Sequence, residues 1–216
     1  MTLTGRAMGN LVKRLGAGAL LLILIVAGLG ASAAHVEDPP SRESLAGQFL
    51  VATPELNDPN FDHTVVYMIE HDATGAMGLV VNRVLGSGPL VKLLQGFGME
   101  TEGDPQNDIR IYYGGPVERG QIFVLHSPEY RREGTVDLAG GIAMTNSLDV
   151  LRDVAEGRGP KQYLLALGYA GWAPNQLESE IASGSWIVIP ADPGLLFDED
   201  PHTVWQRAIA RRGVDL

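Results

Sequence analysis

The feature that most constrains this fold is the regular interruption of the chain after Leu45 by turn-forming residues, which leaves only short apolar runs between them. Two such runs, residues 63–71 and 76–83, have the composition of strands. Asp72 and Gly75 stand first and last in a type I turn pattern between the two runs. The sequence therefore predicts a β-hairpin at this point.

The remainder of the chain continues in the same style, with helices inserted mainly in its later part. Further strands are predicted at residues 47–53, 109–113, 121–126, 141–145, 163–168 and 186–189. Helical spacing and helix-start residues predict helices at 89–97, after Ser147, from Pro174, and from Asp200 with Pro201 in the first turn. Strands in hairpin-like groups, rather than a regular β-α-β alternation, indicate an α+β domain with a mainly antiparallel sheet.

The first 34 residues have the layout of an export signal, with a basic start, an apolar middle and a small-residue end. The basic residues are Arg6, Lys13 and Arg14. Residues 15–34 carry no charge, and Ala31-Ser32-Ala33 fits an A-x-A cleavage site. The sequence predicts an exported protein, either periplasmic or anchored in the inner membrane.

Three interpretations of this segment remain open. It is a cleaved signal, or an uncleaved anchor in contact with the membrane, since 20 residues of helix span about one bilayer core. Alternatively, translation starts at a non-AUG codon near Leu45 and the protein is cytoplasmic. In this sequence, residues 35–44 read as a short polar linker and residues 45–216 as the folded domain.

Charge and cysteine content exclude several classes of function. The chain has 16 basic and 26 acidic residues, of which four and three precede Leu45, so the domain carries a net charge of −11. Such a domain repels phosphate backbones, and no nucleic-acid partner is predicted. The absence of cysteine removes disulfides, thiolate metal sites and a cysteine nucleophile.

The densest polar cluster is Glu70-His71-Asp72, a candidate acid–base group at the end of the predicted hairpin strand. His71 points away from its two neighbours on a regular strand, and Asp72 is explained equally well by its turn. His126, followed by Ser127, is a further candidate, but no G-x-S-x-G pattern surrounds the serine. No metal site, nucleotide motif or cofactor is predicted.

A second candidate site is a glycine–aromatic stretch, predicted to run from a strand through a loop into the start of a helix. Backbone N–H groups there can hold an anion, and its aromatic rings can contact an apolar partner. The same glycines can serve only to shape a tight connection, with Trp172 filling the core. The candidate residues are Gly168, Tyr169, Gly171, Trp172, Asn175 and Gln176.

Three blocks of sequence in one order resemble the AlgH-like (YqgE-type) family of bacterial proteins. They are EHD…GAMGLVVN (70–82), GGPV (114–117) and LGYAGW (167–172), within a resemblance that spans essentially all of 45–216. The resemblance implies a barrel-like antiparallel sheet with helices packed around it. It implies no settled activity, although the family is described as regulatory, and family members usually begin near the equivalent of Leu45 and look cytosolic.

Three functions follow as hypotheses from these observations. The first is a non-catalytic binding or regulatory module that recognises a protein or a small anion at residues 168–176. The second is a hydrolase that uses Glu70, His71 or His126. The third, suggested only by the family resemblance, is a transcriptional regulator, which the negative charge of the domain opposes.

Overall fold

The computed structural model describes residues 43–100, 108–198 and 200–211. The predicted export segment and most of the predicted linker lie outside these residues. The described residues form one compact unit.

The described part of the chain contains ten strands and five α-helices. The strands are β1 Gln48–Ala52, β2 Val65–Asp72, β3 Gly75–Val80, β4 Val84–Pro89, β5 Asp108–Tyr113, β6 Val117–His126, β7 Val136–Leu138, β8 Ile142–Thr145, β9 Tyr163–Trp172 and β10 Trp186–Pro190. The helices are α1 Leu90–Gly96, α2 Asp149–Ala155, α3 Gln176–Ala182, α4 Pro193–Leu196 and α5 Pro201–Ala210.

The strands form one curled, half-barrel sheet in the order β10-β1-β2-β3-β9-β6-β8-β7. Strand β4 pairs with β5, and β5 joins β9 in the one parallel pairing among the described strands. All the other pairs are antiparallel. The predicted α+β class with a mainly antiparallel, barrel-like sheet in a single domain is therefore confirmed.

Most strands are apolar on both faces, because the sheet curls around one core and carries helices outside. In β1, Phe49 and Val51 face the inner core, where α4 and α5 also pack, while Leu50 faces α3. In β9, Leu164 faces the inner core and Leu165 packs under α1 and α2. A side-chain period of two, with both sets buried, explains why these strands read as continuous apolar runs.

Several predicted elements are confirmed to within one or two residues. Strands β2 and β3 form the predicted hairpin, and the Asp72 carboxylate accepts hydrogen bonds from the Thr74 amide and hydroxyl at 2.7 and 2.6 Å. Asp200 caps α5 by accepting from the His202 amide at 3.1 Å, with Pro201 in the first turn. Strands β4 and β7 were not predicted, because their glycine, serine and acidic residues read as loop.

The prediction of a glycine-rich loop is wrong for residues 168–172. Gly168 to Trp172 continue β9, pairing with β3 on one side and β6 on the other, and α3 begins only at Gln176. Gly168 has φ +71° within the strand, opposite a register shift in β6 between Val117 and Ile122. A glycine at a β-bulge has the same sequence signature as a glycine in a turn.

Within the described residues, none of the helices combines the length and apolar character needed to traverse a bilayer.

Candidate functional site

A cavity of about 270 Å³ lies where the ends of several strands meet the loop that precedes β2. Its walls combine two arginines, an amide, a phenol and two leucines. They are Asn60, Arg83, Leu85, Tyr113, Arg119 and Leu167. We call it the arginine cavity.

Arg83 is held in place by backbone carbonyl groups of the loop before β2. Its guanidinium donates to the carbonyl oxygens of Pro59, Asn60 and Asp62 at 3.2, 2.9 and 2.8 Å. The guanidinium carbon also lies 5.6 Å from the centre of the Tyr113 ring, a cation–π distance. Arg83 therefore fixes the loop and brings an ordered positive charge to the cavity.

Arg119 reaches the cavity because β6 is irregular beside β9. The register shift in β6 leaves residues 118–121 outside the regular ladder, and Glu118 has φ +45°. A Cβ on Gly168 would lie 2.7 Å from the Val117 carbonyl oxygen and 3.1 Å from the Arg119 Cα. Only glycine permits this close approach, so Gly168 contributes to the cavity by shaping its wall.

Tyr113 lies on the floor of the cavity, opposite Leu167 in the parallel β5–β9 pair. Its hydroxyl donates to the Asn60 side-chain oxygen at 3.3 Å. Burial raises the pKa of the Tyr113 phenol, an effect that the charges of Arg119 and Arg83 partly oppose. The phenol therefore stays protonated at neutral pH, with its one hydrogen directed at Asn60.

The two arginines stand out in a strongly acidic domain. The ion pairs of the described residues use other arginines, such as Arg131 with Asp137 and Arg211 with Asp192, and include neither Arg83 nor Arg119. A guanidinium offers planar, paired N–H donors that match a carboxylate or a phosphate. The cavity thus has the chemistry of a site for one anionic group.

A second hollow of about 310 Å³ shares Arg83 as a wall and also contains Asp62 and His63. His63 has φ +53°, which is uncommon for a residue with a side chain, and its Nδ1 is bonded to the Asp62 carboxylate. Its ring lies 4.1 Å from the Trp205 ring, and Trp205 donates to the Ala52 carbonyl at 2.8 Å. This second hollow extends the polar surface beyond the arginine cavity.

A larger cavity of about 400 Å³ lies between β5 and α4, but its charges are mixed. Its walls include Asp108, Arg110 and Asp198. With two carboxylates around one guanidinium, it has no net attraction for an anion. The arginine cavity is therefore the better candidate site.

In the structure, the residues of the predicted glycine–aromatic site make separate contacts and do not form one site. Trp172 is buried and donates through its indole N–H to the Glu180 carboxylate at 2.9 Å, and Trp186 donates to the same oxygen at 2.8 Å. Gln176 accepts from the Ala173 amide at 3.0 Å and donates to Glu180 at 2.9 Å. These residues fasten α3 to the sheet.

The remaining members of that stretch have separate surroundings. Tyr169 packs edge-on against Phe123 in the inner core, with ring centres 6.1 Å apart. Gly171 is exposed on β9, and Asn175 precedes α3 with φ +63°. They do not converge on one ligand position.

The three residues of the Glu70-His71-Asp72 cluster also have separate surroundings. Glu70 is exposed, and Asp72 is engaged in its turn. The His71 side chain is only 5% exposed, and its Nδ1 accepts from the Leu45 amide at 3.0 Å, while Nε2 lies 3.5 Å from a carboxylate oxygen of Glu178. His71 thus secures the start of the domain against the end of β2.

His126 lies in a closed polar network at the end of β6. Its Nδ1 donates to the Ser127 carbonyl at 2.9 Å, and its Nε2 lies 3.0 Å from the Thr145 hydroxyl. Burial lowers the pKa of His126. Ser127 donates to Glu129 at 2.8 Å rather than to the histidine, so this pair lacks the geometry of a nucleophile and its base.

No group of three or more histidine, aspartate or glutamate side chains in the described ranges is placed to hold a metal ion. His71 bonds the Leu45 amide and His126 bonds the Ser127 carbonyl. His63 lies in the second hollow, next to Trp205.

Comparison with known proteins places this architecture in one family. A family model described as AlgH-like matches residues 49–216. The chain belongs to the AlgH-like family. A UPF0301 protein of Methylococcus capsulatus is 47% identical over 180 residues, which are 83% of this chain and 98% of that protein. A UPF0301 protein of Afipia carboxidovorans is 43% identical, over 80% of this chain and 85% of the relative.

Solved structures agree with this assignment. The solution structure of the AlgH protein from Pseudomonas aeruginosa superposes with a TM-score of 0.67 at 41% identity, over 82% of this chain and 94% of that one. A crystal structure of a Corynebacterium diphtheriae protein, 23% identical with a TM-score of 0.63, shares the fold. The names of these proteins state no activity, so function is argued from the site.

The residues of the arginine cavity were not identified from the sequence. Arg83 ends a predicted strand, and Arg119 lies in what reads as a turn between strands. The signal available in the sequence was the positive charge of these two residues, since basic residues are the minority in this domain. What sequence reasoning could not supply was the bulge and the loop that bring the two side chains together.

Proposed function

We propose that this AlgH-like domain is a non-catalytic binding module that recognises a carboxylate or phosphate group in the arginine cavity. The observation that carries the proposal is that Arg83 and Arg119 line one cavity together with Tyr113, in a domain of net negative charge. Keeping two like charges close costs electrostatic energy, which a bound anion would offset.

The walls of the cavity describe the ligand further. Leu85 and Leu167 provide apolar surface next to the two guanidinium groups. The ligand we expect therefore has an anionic head beside an apolar portion. A volume of about 270 Å³ accommodates one such group, and is slightly smaller than most drug-sized ligand pockets.

Binding is better supported than hydrolysis. His126 has both ring nitrogens engaged in the interior, and His71 is used to hold the Leu45 amide. A general base must reach the proton that it abstracts, and neither ring has that access.

The test measures anion binding by the full chain with inorganic phosphate and glutarate as probes, using calorimetry and amide chemical shifts. Replacing Arg119→Gln removes one guanidinium without touching the bonds that hold the loop, so we expect affinity to fall at least about tenfold. Arg131→Gln is the matched control, because Arg131 pairs with Asp137 outside the cavity. It should leave affinity unchanged.

Equal loss of binding in both variants would indicate a general charge effect and would contradict the proposal. Amide chemical-shift changes located away from Tyr113 and Leu167 would contradict it as well.

A further inference from the structure

Strand β4 is an edge of the sheet, and it borders the arginine cavity. Within the described residues it pairs with β5 alone, so its other side offers unpaired backbone groups. Leu85 is 58% exposed, and Gly86 and Ser87 are exposed beside it. A backbone edge and an apolar side chain are thus presented together.

Proteins usually protect such an edge, most often with charged side chains. A register shift between Val84 and Gly86 and Pro89 at the end of the strand limit the free edge of β4 to Gly86–Gly88. The strand is six residues long, and no charged side chain occurs from Val84 to Pro89. By contrast, the edge strand β7 has three residues and carries Asp137. An exposed, uncharged edge strand is a ready template for pairing with another segment.

The two glycines of β4 also leave room for an incoming strand. A Cβ built on Gly86 or on Gly88 would meet no other atom within 4 Å. Cross-strand neighbours of a glycine can therefore be large without a clash. The edge accepts bulky side chains from a strand laid beside it.

The free edge of β4 adjoins the arginine cavity. Leu85 belongs to β4 and also lines the arginine cavity, and Arg83 directly precedes the strand. A strand added beside β4 would lie about 4.8 Å away and would direct every second side chain to the cavity face. An acidic side chain at such a position reaches toward the two guanidinium groups.

We infer that the partner is an extended acidic peptide that adds to the free edge of β4 and places a carboxylate in the arginine cavity. The inference rests on the proposed function and specifies its ligand. Backbone hydrogen bonds would supply affinity along the edge, and the arginines would select the acidic residue.

The experiment uses the full chain and three five-residue peptides. The first alternates valine and glutamate, the second replaces glutamate by glutamine, and the third is the glutamate peptide methylated at alternate backbone nitrogens. Methylation removes the N–H groups that edge pairing requires and keeps the carboxylates. Free glutarate serves as the reference anion.

We expect the glutamate peptide to bind about tenfold more tightly than glutarate, and to slow hydrogen exchange at Gly86, Ser87 and Gly88. The methylated peptide should lose both effects, and the glutamine peptide should bind at least about tenfold more weakly. Arg119→Gln should weaken the glutamate peptide and glutarate by the same factor.

The failures of the two proposals are distinguishable. If methylated and unmethylated glutamate peptides bind equally while glutarate still depends on Arg119, the edge is not used, and the anion site stands. If the glutamine peptide protects β4 as well as the glutamate peptide does, the partner is not acidic and the inference is wrong. If neither glutarate nor any peptide binds, both proposals fall.

Discussion

His126 shows how a residue that looks catalytic in sequence can be structural. Its Nδ1 must carry the proton, because its partner is the Ser127 carbonyl. Its Nε2 therefore accepts from the Thr145 hydroxyl, whose oxygen lies 2.9 Å from that of Thr135. This chain of bonds satisfies the neutral ring, and the ring has no accessible nitrogen left.

The first residue-scale prediction concerns pH. Burial lowers the pKa of His126 in the folded protein, so near its usual pKa of about 6.5 the unfolded chain binds the proton more readily. Its contribution to stability is complete above that value and is lost as the pH falls through it. We expect the free energy of unfolding to decrease from pH ~7.5 to ~5.5, measured by urea denaturation.

His126→Gln should flatten this part of the pH dependence, at a cost in absolute stability. The exposed His202 on α5 provides the control, since His202→Gln should retain the full slope. An unchanged slope in His126→Gln would contradict the assignment.

Local chemistry at single residues was predictable where a residue acts on its own neighbours. The turn at Asp72 and the cap at Asp200 follow from side chains that bond amides two residues on. The roles of His126 and Arg83 depend on groups about 20 residues away. Short-range patterns contain no information on such pairings.

Helix α3 is attached to the sheet through one carboxylate. Glu180 accepts from both Trp172 and Trp186, whose rings are 6.1 Å apart, and Phe61 stacks on Trp172. Both indoles are nearly fully buried, with 6% and 3% exposure. Their N–H groups have this one oxygen as acceptor, so the helix and two strands depend on it together.

Removing that acceptor gives the prediction at the element scale. Glu180→Ala leaves two buried donors unpaired, and we expect it to lower the free energy of unfolding by about 2–4 kcal/mol. Glu180→Gln keeps a carbonyl oxygen in place and should cost less. Ser179→Ala on the exposed side of α3 is the control.

Chemical denaturation with tryptophan fluorescence measures all three variants. A loss below about 1 kcal/mol in Glu180→Ala would show that water replaces the carboxylate, contrary to the arrangement described.

At the level of elements, most strands were predictable because their apolar runs are bounded by turn residues. The errors fall where the backbone departs from a regular ladder. Glycines at 168 and 171 were interpreted as a loop, although they lie within β9. The same ambiguity hid the continuation of β6 through residues 117–120, which are polar and irregular in register.

For the whole molecule, the sequence predicted the class of fold and the family, and both are confirmed. The candidate site was predicted only in part. Gly168 lies against the wall of the arginine cavity, but the charged residues of that cavity come from separate elements and assemble only through the tertiary fold.

A molecule-scale prediction concerns the N-terminus. The basic, apolar and small-residue pattern of the first 34 residues leads us to expect export and a mature protein that begins at Ala34. Peptide mapping of the native protein measures this directly. A first residue near Leu45, with no upstream peptide in any fraction, would instead favour the cytoplasmic alternative.

The position of β9 in the sheet has a consequence for how the chain acquires its structure. This strand pairs with β3, β5 and β6, yet its first residue is Tyr163, about three quarters of the way along the sequence. During synthesis, the earlier strands have to wait for their shared neighbour, and long-range closure of this kind slows folding. Until the last quarter of the sequence emerges, the nascent chain exposes the edges of β3, β5 and β6 that β9 later covers, and exposed edges of this kind are prone to aggregate.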